Sequence, residues 1–193
     1  MHRDTMGTKG GKKIYRLFLL LLSVGTLVAG LPRFENHITM EKHRFVLNGH
    51  GVREKFWIDL YAVALYLPQK SRDAEKIIRA DEPQLMRLVI VSSLISKKRM
   101  KKGIEEGFEK STHGHTEALK ERIGRFTEAF GDHLGKKDRL DLFYEPGKGV
   151  TVLKNGKPMV TLKGHDFKEA LWGIWLGKEP VQKDLKEKLL AEK

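Results

Sequence analysis

Residues 47–69 read LNGHGVREKFWIDLYAVALYLPQ, and the first half of this stretch sets the reading of everything after it. Asn48-Gly49 with the nearby Gly51 marks a reversal, because Asn and Gly accept the positive φ of a tight hairpin. Beyond that reversal, alternation places Trp57, Asp59, Tyr61, Val63, Leu65 and Leu67 on one side of an ideal strand. Phe56, Ile58, Leu60, Ala62, Ala64 and Tyr66 fall on the other. Both sides become apolar towards Leu67, so the strand is expected to be central and covered on both faces.

Downstream text alternates between helical and extended patterns in groups. SRDAEKIIRA, residues 71–80, reads as a short helix with Ser71 as N-cap. Residues 85–94, LMRLVIVSSL, read as a strand. Ser96 then caps a helix to about Lys110, with Met100, Ile104 and Phe108 at four-residue spacing. Leu119, Ile123, Phe126 and Phe130 form one stripe of a helix over 116–130. Strands follow over 139–144 and 149–162, the latter split by Asn155-Gly156, with a Pro146-Gly147 turn between them. Asp166 and Glu169 resemble a capping box at the head of FKEALWGIWLG, where Phe167, Leu171, Ile174 and Trp175 face the core and Gly177 ends the helix. VQKDLKEKLL forms a last helix. Hairpins and helices in groups, without strict βαβ alternation, give an α+β fold with a mainly antiparallel sheet.

A chain of 193 residues suits one domain, and 40% hydrophobic against 32% charged residues is a globular composition. The absence of cysteine excludes disulfides, thiolate metal sites, a cysteine nucleophile and a lipidated N-terminal cysteine. Of the net charge of +12, residues 1–30 contribute +4 and the remainder +8. Cations and acids alternate along helix faces, and the run Lys97, Lys98, Arg99, Lys101, Lys102 precedes Glu105, Glu106 and Glu109, the wrong way round for a helix dipole. No helix-turn-helix, finger or aromatic-interleaved basic motif reads nucleic acid, which is not expected as a partner. Weak attraction to anionic surfaces is expected instead.

Residues 1–30 form an address separate from the domain at 31–193. KGGKKIYR is a basic n-region, and Leu17–Ala29 is an apolar run of 13 residues, below the roughly 20 that span a bilayer. Small residues at Val28, Ala29 and Gly30 place signal-peptidase cleavage near Gly30. The alternative is an uncleaved anchor over 14–31. In both cases the domain is exported, in a bacterium to the periplasm, and the membrane is a partner only through an uncleaved segment.

Ready-made catalytic and cofactor motifs (P-loop, GxGxxG, GxSxG, HExxH) are missing, so no cofactor is expected. His113 and His115 lack the third ligand a metal would need. Asp138 and Asp141 have no evident acid–base partner.

Three segments carry a resemblance: LNGHGVREKFWIDLYAVALYLPQ, GFEKS with its surrounding helices, and FKEALWGIWLGKEPVQKDLKEKLL. Together they resemble the chalcone isomerase family, in particular its exported bacterial branch, across about Phe34 to Leu190. The resemblance implies an open-faced β-sandwich, a large antiparallel sheet with helices packed on one face and a ligand cleft between them. In the plant enzymes an arginine guides a phenolate onto its own enone, while threonine, tyrosine, asparagine and a further hydroxyl residue hold the ketone. Arg53 matches the arginine. The other positions fall on Tyr61, Met100, Gly107 and near Ile174, so only the arginine is kept.

An enolate needs donors where its charge develops, and Met100 and Gly107 have none. Arg53 alone suits an anion such as a carboxylate or phenolate. Some plant relatives bind fatty acids, so the expected function is binding of a small amphipathic anion without efficient chalcone cyclisation. An intramolecular lyase acting on an unknown aromatic or enone substrate, and a partner-binding domain with a filled cleft, stay open. Arg53 is the expected anchor, with Trp57 and Tyr61 as wall residues on the same strand face. A surface pairing of Arg53 with Glu54 or Asp59 is the alternative. On one straight strand Arg53 and Tyr61 would lie about 26 Å apart, too far to grip one head group unless the chain bends.

Overall fold

The computed structural model describes residues 31–95, 97–131 and 134–190. The proposed signal segment and the proposed Ser96 cap lie outside these residues. In chain order the elements are β1 (His37–Met40), β2 (His43–Lys55), β3 (Ile58–Leu67), α1 (Ala74–Arg79), β4 (Gln84–Ile90), α2 (Lys97–Ser111), a 3₁₀ turn (Glu117–Leu119), α3 (Lys120–Glu128), β5 (Arg139–Glu145), β6 (Gly149–Lys154), β7 (Lys157–Leu162), α4 (His165–Leu176) and α5 (Lys183–Leu189). The seven strands form one antiparallel sheet in sequential order β1 to β7.

Strand alternation sorts the sheet into two faces. On one face Val63, Leu65, Met86, Leu88, Leu142 and Val152 pack against Phe108, Phe126, Phe167 and Leu171 of the helices. The opposite face carries a smaller cluster of Ile38, Phe45, Ala64, Tyr66, Leu85 and Phe143. The sheet curls over this second cluster. β2 and β5 are separated by two strands, which in a flat sheet would place them about 14 Å apart, yet the rings of Phe45 and Phe143 lie 6.1 Å apart. Lys148 reaches Glu41 at 3.4 Å across the same opening. β3 is thus covered on both faces over Ala62–Leu67, as its composition implied.

Several local expectations hold. The Leu119, Ile123, Phe126 and Phe130 stripe is buried, and Asn155 and Gly156 turn β6 into β7 with φ of 52° and 82°. Three do not. Asn48-Gly49 is no hairpin: β2 runs straight through it with a register shift between Leu47 and Gly49. The Asn48 amide instead donates to Ser71 O at 2.9 Å and Leu189 O at 2.8 Å, so the residue staples β2 to α5. The reversal falls at Phe56-Trp57, between the paired residues Lys55 and Ile58. The cap of α1 is Asp73, whose carboxylate accepts from Lys76 N at 3.0 Å, while Ser71 Oγ only accepts from Asp73 N. Asp166 makes no capping box with Glu169, because α4 begins at His165 with Gly164 as its cap and Asp166 lies inside the first turn, its two oxygens accepting from Arg122 at 2.7 and 2.6 Å.

Among the described residues no helix is long and apolar enough to cross a membrane.

Candidate functional site

Relocating the turn changes the geometry of the expected site. Arg53 lies on β2 and Tyr61 on β3, and they are direct register partners across the hairpin. Opposed antiparallel residues have Cα atoms about 4.5–5.5 Å apart and side chains on one face. The 26 Å separation of a straight strand therefore does not occur. A register shift between Arg53 and Glu54 sits beside the pair, and such bulges re-aim side chains next to sites. Trp57 does not share the face of Arg53 and Tyr61: it occupies the tip of the turn, 96% exposed.

Arg53 and Tyr61 open into a cleft of about 620 Å³ between the helix face of the sheet and helices α2, α3 and α4. Its floor and walls are apolar, including Leu88, Leu142, Phe126, Phe130, Met100 and Ile174. Its mouth is lined by Lys55, Phe56, Ile58, Leu94, Arg99 and Lys102, and Trp57 is not part of the lining. Lys55 and Lys102 hold Glu106 at 3.7 and 3.8 Å, and Lys110 adds a further cation to the lining.

The polar groups in this apolar space are few and ordered. Arg53 Nη1 donates to the Glu54 carbonyl and to Gln182 Oε1 at 3.1 Å. Arg53 makes no ion pair with Glu54 or Asp59 among the described residues, so the surface pairing considered above is not formed. Gln182 also accepts from Glu54 N at 2.9 Å and donates to Val52 O at 3.3 Å, clamping the start of α5 onto the end of β2. Tyr61 accepts a hydrogen bond from Trp175 Nε1 at 3.1 Å. Burial pushes the Tyr61 pKa above the usual tyrosine value, outweighing the Trp175 hydrogen bond and the Arg53 charge, which pull it down. The phenol is therefore neutral at physiological pH, and its own O–H remains as a donor beside the Arg53 guanidinium.

The resemblance assigned five positions to one site, and Arg53, Tyr61, Met100, Gly107 and Ile174 do all line this cleft. The structure also explains why two departures go together. A Cβ on Gly107 would lie 3.0 Å from Ile174 Cγ2, so an asparagine there would require Ile174 to move. Two members of the site were not singled out from sequence. Gln182 is 129 residues from Arg53, and the third resembling segment that contains it assigned it no role. Trp175 lies on an apolar helix, and its periodicity reported core packing but not the direction of its N–H.

His113 and His115 remain apart from this cleft, and His113 approaches Glu179 at 3.9 Å.

A sequence comparison with curated proteins gives no match. Among solved structures the chain is similar to a fatty-acid binding protein of Arabidopsis thaliana, with a TM-score of 0.65 and 19% sequence identity. That likeness covers 81% of this chain and 90% of the plant protein. It extends to the curled antiparallel sheet with helices on one face, the architecture the sequence resemblance implied. A family model described as chalcone isomerase-like matches residues 27–191, and the chain belongs to the chalcone isomerase-like family.

Proposed function

We propose that the protein binds a small amphipathic anion, such as a fatty acid, in the cleft beneath the β2–β3 hairpin, and does so outside the cytoplasm after export. The observation that carries this reading is the pairing of Arg53 and Tyr61 in a cavity whose floor and walls are apolar. A guanidinium and a neutral phenol give a carboxylate two donors, one of them charged. The apolar walls beyond them suit an acyl chain. A volume of about 620 Å³ lies within the roughly 300–1,000 Å³ usual for small-molecule sites. The structurally similar plant protein, described as binding fatty acid, supports the same ligand class.

Efficient chalcone cyclisation is not part of this reading. Met100, Gly107 and Ile174 offer no side-chain donor where an enolate would develop, and placed donors are the larger part of such catalysis. Tyr61 is the one hydroxyl at the positions that the resemblance assigns to the ketone.

Titration of a fluorescent fatty acid tests the proposal. Loss of a charge-assisted hydrogen bond costs about 1.5–3 kcal/mol, so Arg53→Ala weakens binding by one to two orders of magnitude with little change in thermal stability. Arg53→Lys recovers part of the loss, because it restores charge without the planar fork. Equal affinities for all three proteins would remove Arg53 from the site.

A further inference from the structure

The turn between β2 and β3 is made of residues its geometry disfavours. Phe56 and Trp57 hold φ of 53° and 60°, in the left-handed region where bulky residues are outliers and Asn-Gly would fit without strain. Burial does not compensate, since they are 78% and 96% exposed. Leu94, 52% exposed, stands on the neighbouring loop at the same cleft mouth. Directly after that loop α2 opens with the run Lys97, Lys98, Arg99, Lys101 and Lys102, and its first turn has no acid. That arrangement opposes the helix dipole. Phe56 of the turn and Arg99 and Lys102 of the cationic run line one opening, with Trp57 beside it at the tip of the turn.

We propose that this rim docks on the surface of an anionic phospholipid bilayer, with the Phe56 and Trp57 rings entering the interface and the cations of α2 against the headgroups. Aromatic rings at the tip of a hairpin, flanked by lysine and arginine, match the two chemistries of that interface. Charge complementarity selects an anionic lipid surface. Glu54 and Asp59 flank the turn in sequence, and Glu106, which lines the same cleft, is held between Lys55 and Lys102. Docking in this orientation turns the mouth of the cleft towards the bilayer, so an acyl chain could pass between them without crossing water. The docking itself does not depend on which ligand the cleft holds.

Co-sedimentation with vesicles tests it, using the chain from Leu31 onward, which contains every described strand and helix, so that the apolar run at 17–29 does not contribute. Binding is expected to vesicles of phosphatidylcholine mixed with phosphatidylglycerol, to be weaker on phosphatidylcholine alone, and to fall with added salt. Phe56→Asn with Trp57→Gly supplies the residues the turn prefers, so thermal stability holds or rises while vesicle affinity drops about ten-fold or more. Lys98→Glu with Lys102→Glu leaves the turn intact and lowers affinity roughly five-fold for each cation removed. Unchanged vesicle binding in either double variant overturns the proposal. So does a wild-type protein that ignores mixed vesicles but self-associates through the same rings, which would assign the patch to a protein interface.

Discussion

Lys168 is fully buried on α4, and its environment accounts for all of its hydrogen-bonding capacity. Nζ donates to Ile77 O at 2.8 Å, Ile78 O at 2.7 Å and Ala80 O at 2.9 Å. These carbonyls close the C-terminal end of α1, where backbone acceptors lack helical partners and a positive charge is favoured. The rings of Tyr144 and Trp172 stand 5.4 and 5.7 Å from the ammonium. Burial pulls the pKa down to about 8, with Glu169, Glu82 and Asp81 holding it up. An unfolded lysine titrates near about 10.4, so between these values the unfolded chain binds more protons than the folded one. Stability therefore rises with pH across that window, and below about 8 both states are charged and the contribution is flat. Urea unfolding over pH 7–10 should show this rise as a difference between wild type and Lys168→Met. The variant itself should be destabilised by about 1–3 kcal/mol through orphaned carbonyls; parallel pH profiles would show that Lys168 does not titrate there. Nothing in FKEALWGIWLG announces this role. The helix is apolar almost all round, and such a helix is buried on every side, so periodicity could not tell which face Lys168 joins.

Asn155-Gly156, Asn48-Gly49 and Phe56-Trp57 together show how far turn chemistry is legible. Asn155-Gly156 was read correctly because the further bonds of Asn155, which accepts from Arg139 N at 2.8 Å and donates to Asp138 at 2.9 Å, reach the neighbouring strand β5 without displacing the turn. Asn48-Gly49 carries the same signal and has another use: the amide of Asn48 bonds the end of α5, and Gly49 admits the backbone of Lys188 and Leu189. That contact spans 141 residues and leaves no local trace. Phe56-Trp57 was missed for the opposite reason, since two aromatic residues give no turn signal at all. The consequence for the site was large, because moving one turn converted a pair of distant strand residues into the cross-strand partners Arg53 and Tyr61. These contacts separate the glycines. A Cβ on Gly49 would overlap the Lys188 carbonyl oxygen, so Gly49→Ala must displace α5 and should cost about 1–3 kcal/mol or more. Gly103 in α2 has nothing within 4 Å, so Gly103→Ala should stabilise by about 0.5–1 kcal/mol through helix propensity. Chemical denaturation of both variants checks the contrast, and equal effects would mean α5 is not packed on β2 as described.

The antiparallel sheet with helices on one face was legible from grouped hairpins and helices, and the family from three segments that lie on β2–β3, α2 and α4–α5. The curl of the sheet was not, because it depends on which side chains meet over two intervening strands. That curled face also bears on the N-terminus. Phe34 packs against the second cluster and lies 5.5 Å ring to ring from His50. The Tyr66 hydroxyl donates to Glu35 O at 3.0 Å, and Leu47 N donates to Asn36 O at 2.8 Å. The folded unit thus uses its chain from about Phe34, and the family match begins a few residues earlier, at 27. Cleavage near Gly30 would leave only Leu31, Pro32 and Arg33 ahead of the first packed ring, whereas cleavage beyond Asn36 would strip a ring and two acceptors from the curled face. Expression of the full chain in a secreting host should therefore yield a soluble exported product whose N-terminus lies close to Leu31. Intact-mass measurement of the exported fraction decides it. A membrane-bound product that retains Met1 to Gly30 would replace the cleaved signal with an anchor, and the cleft would then work tethered to the bilayer.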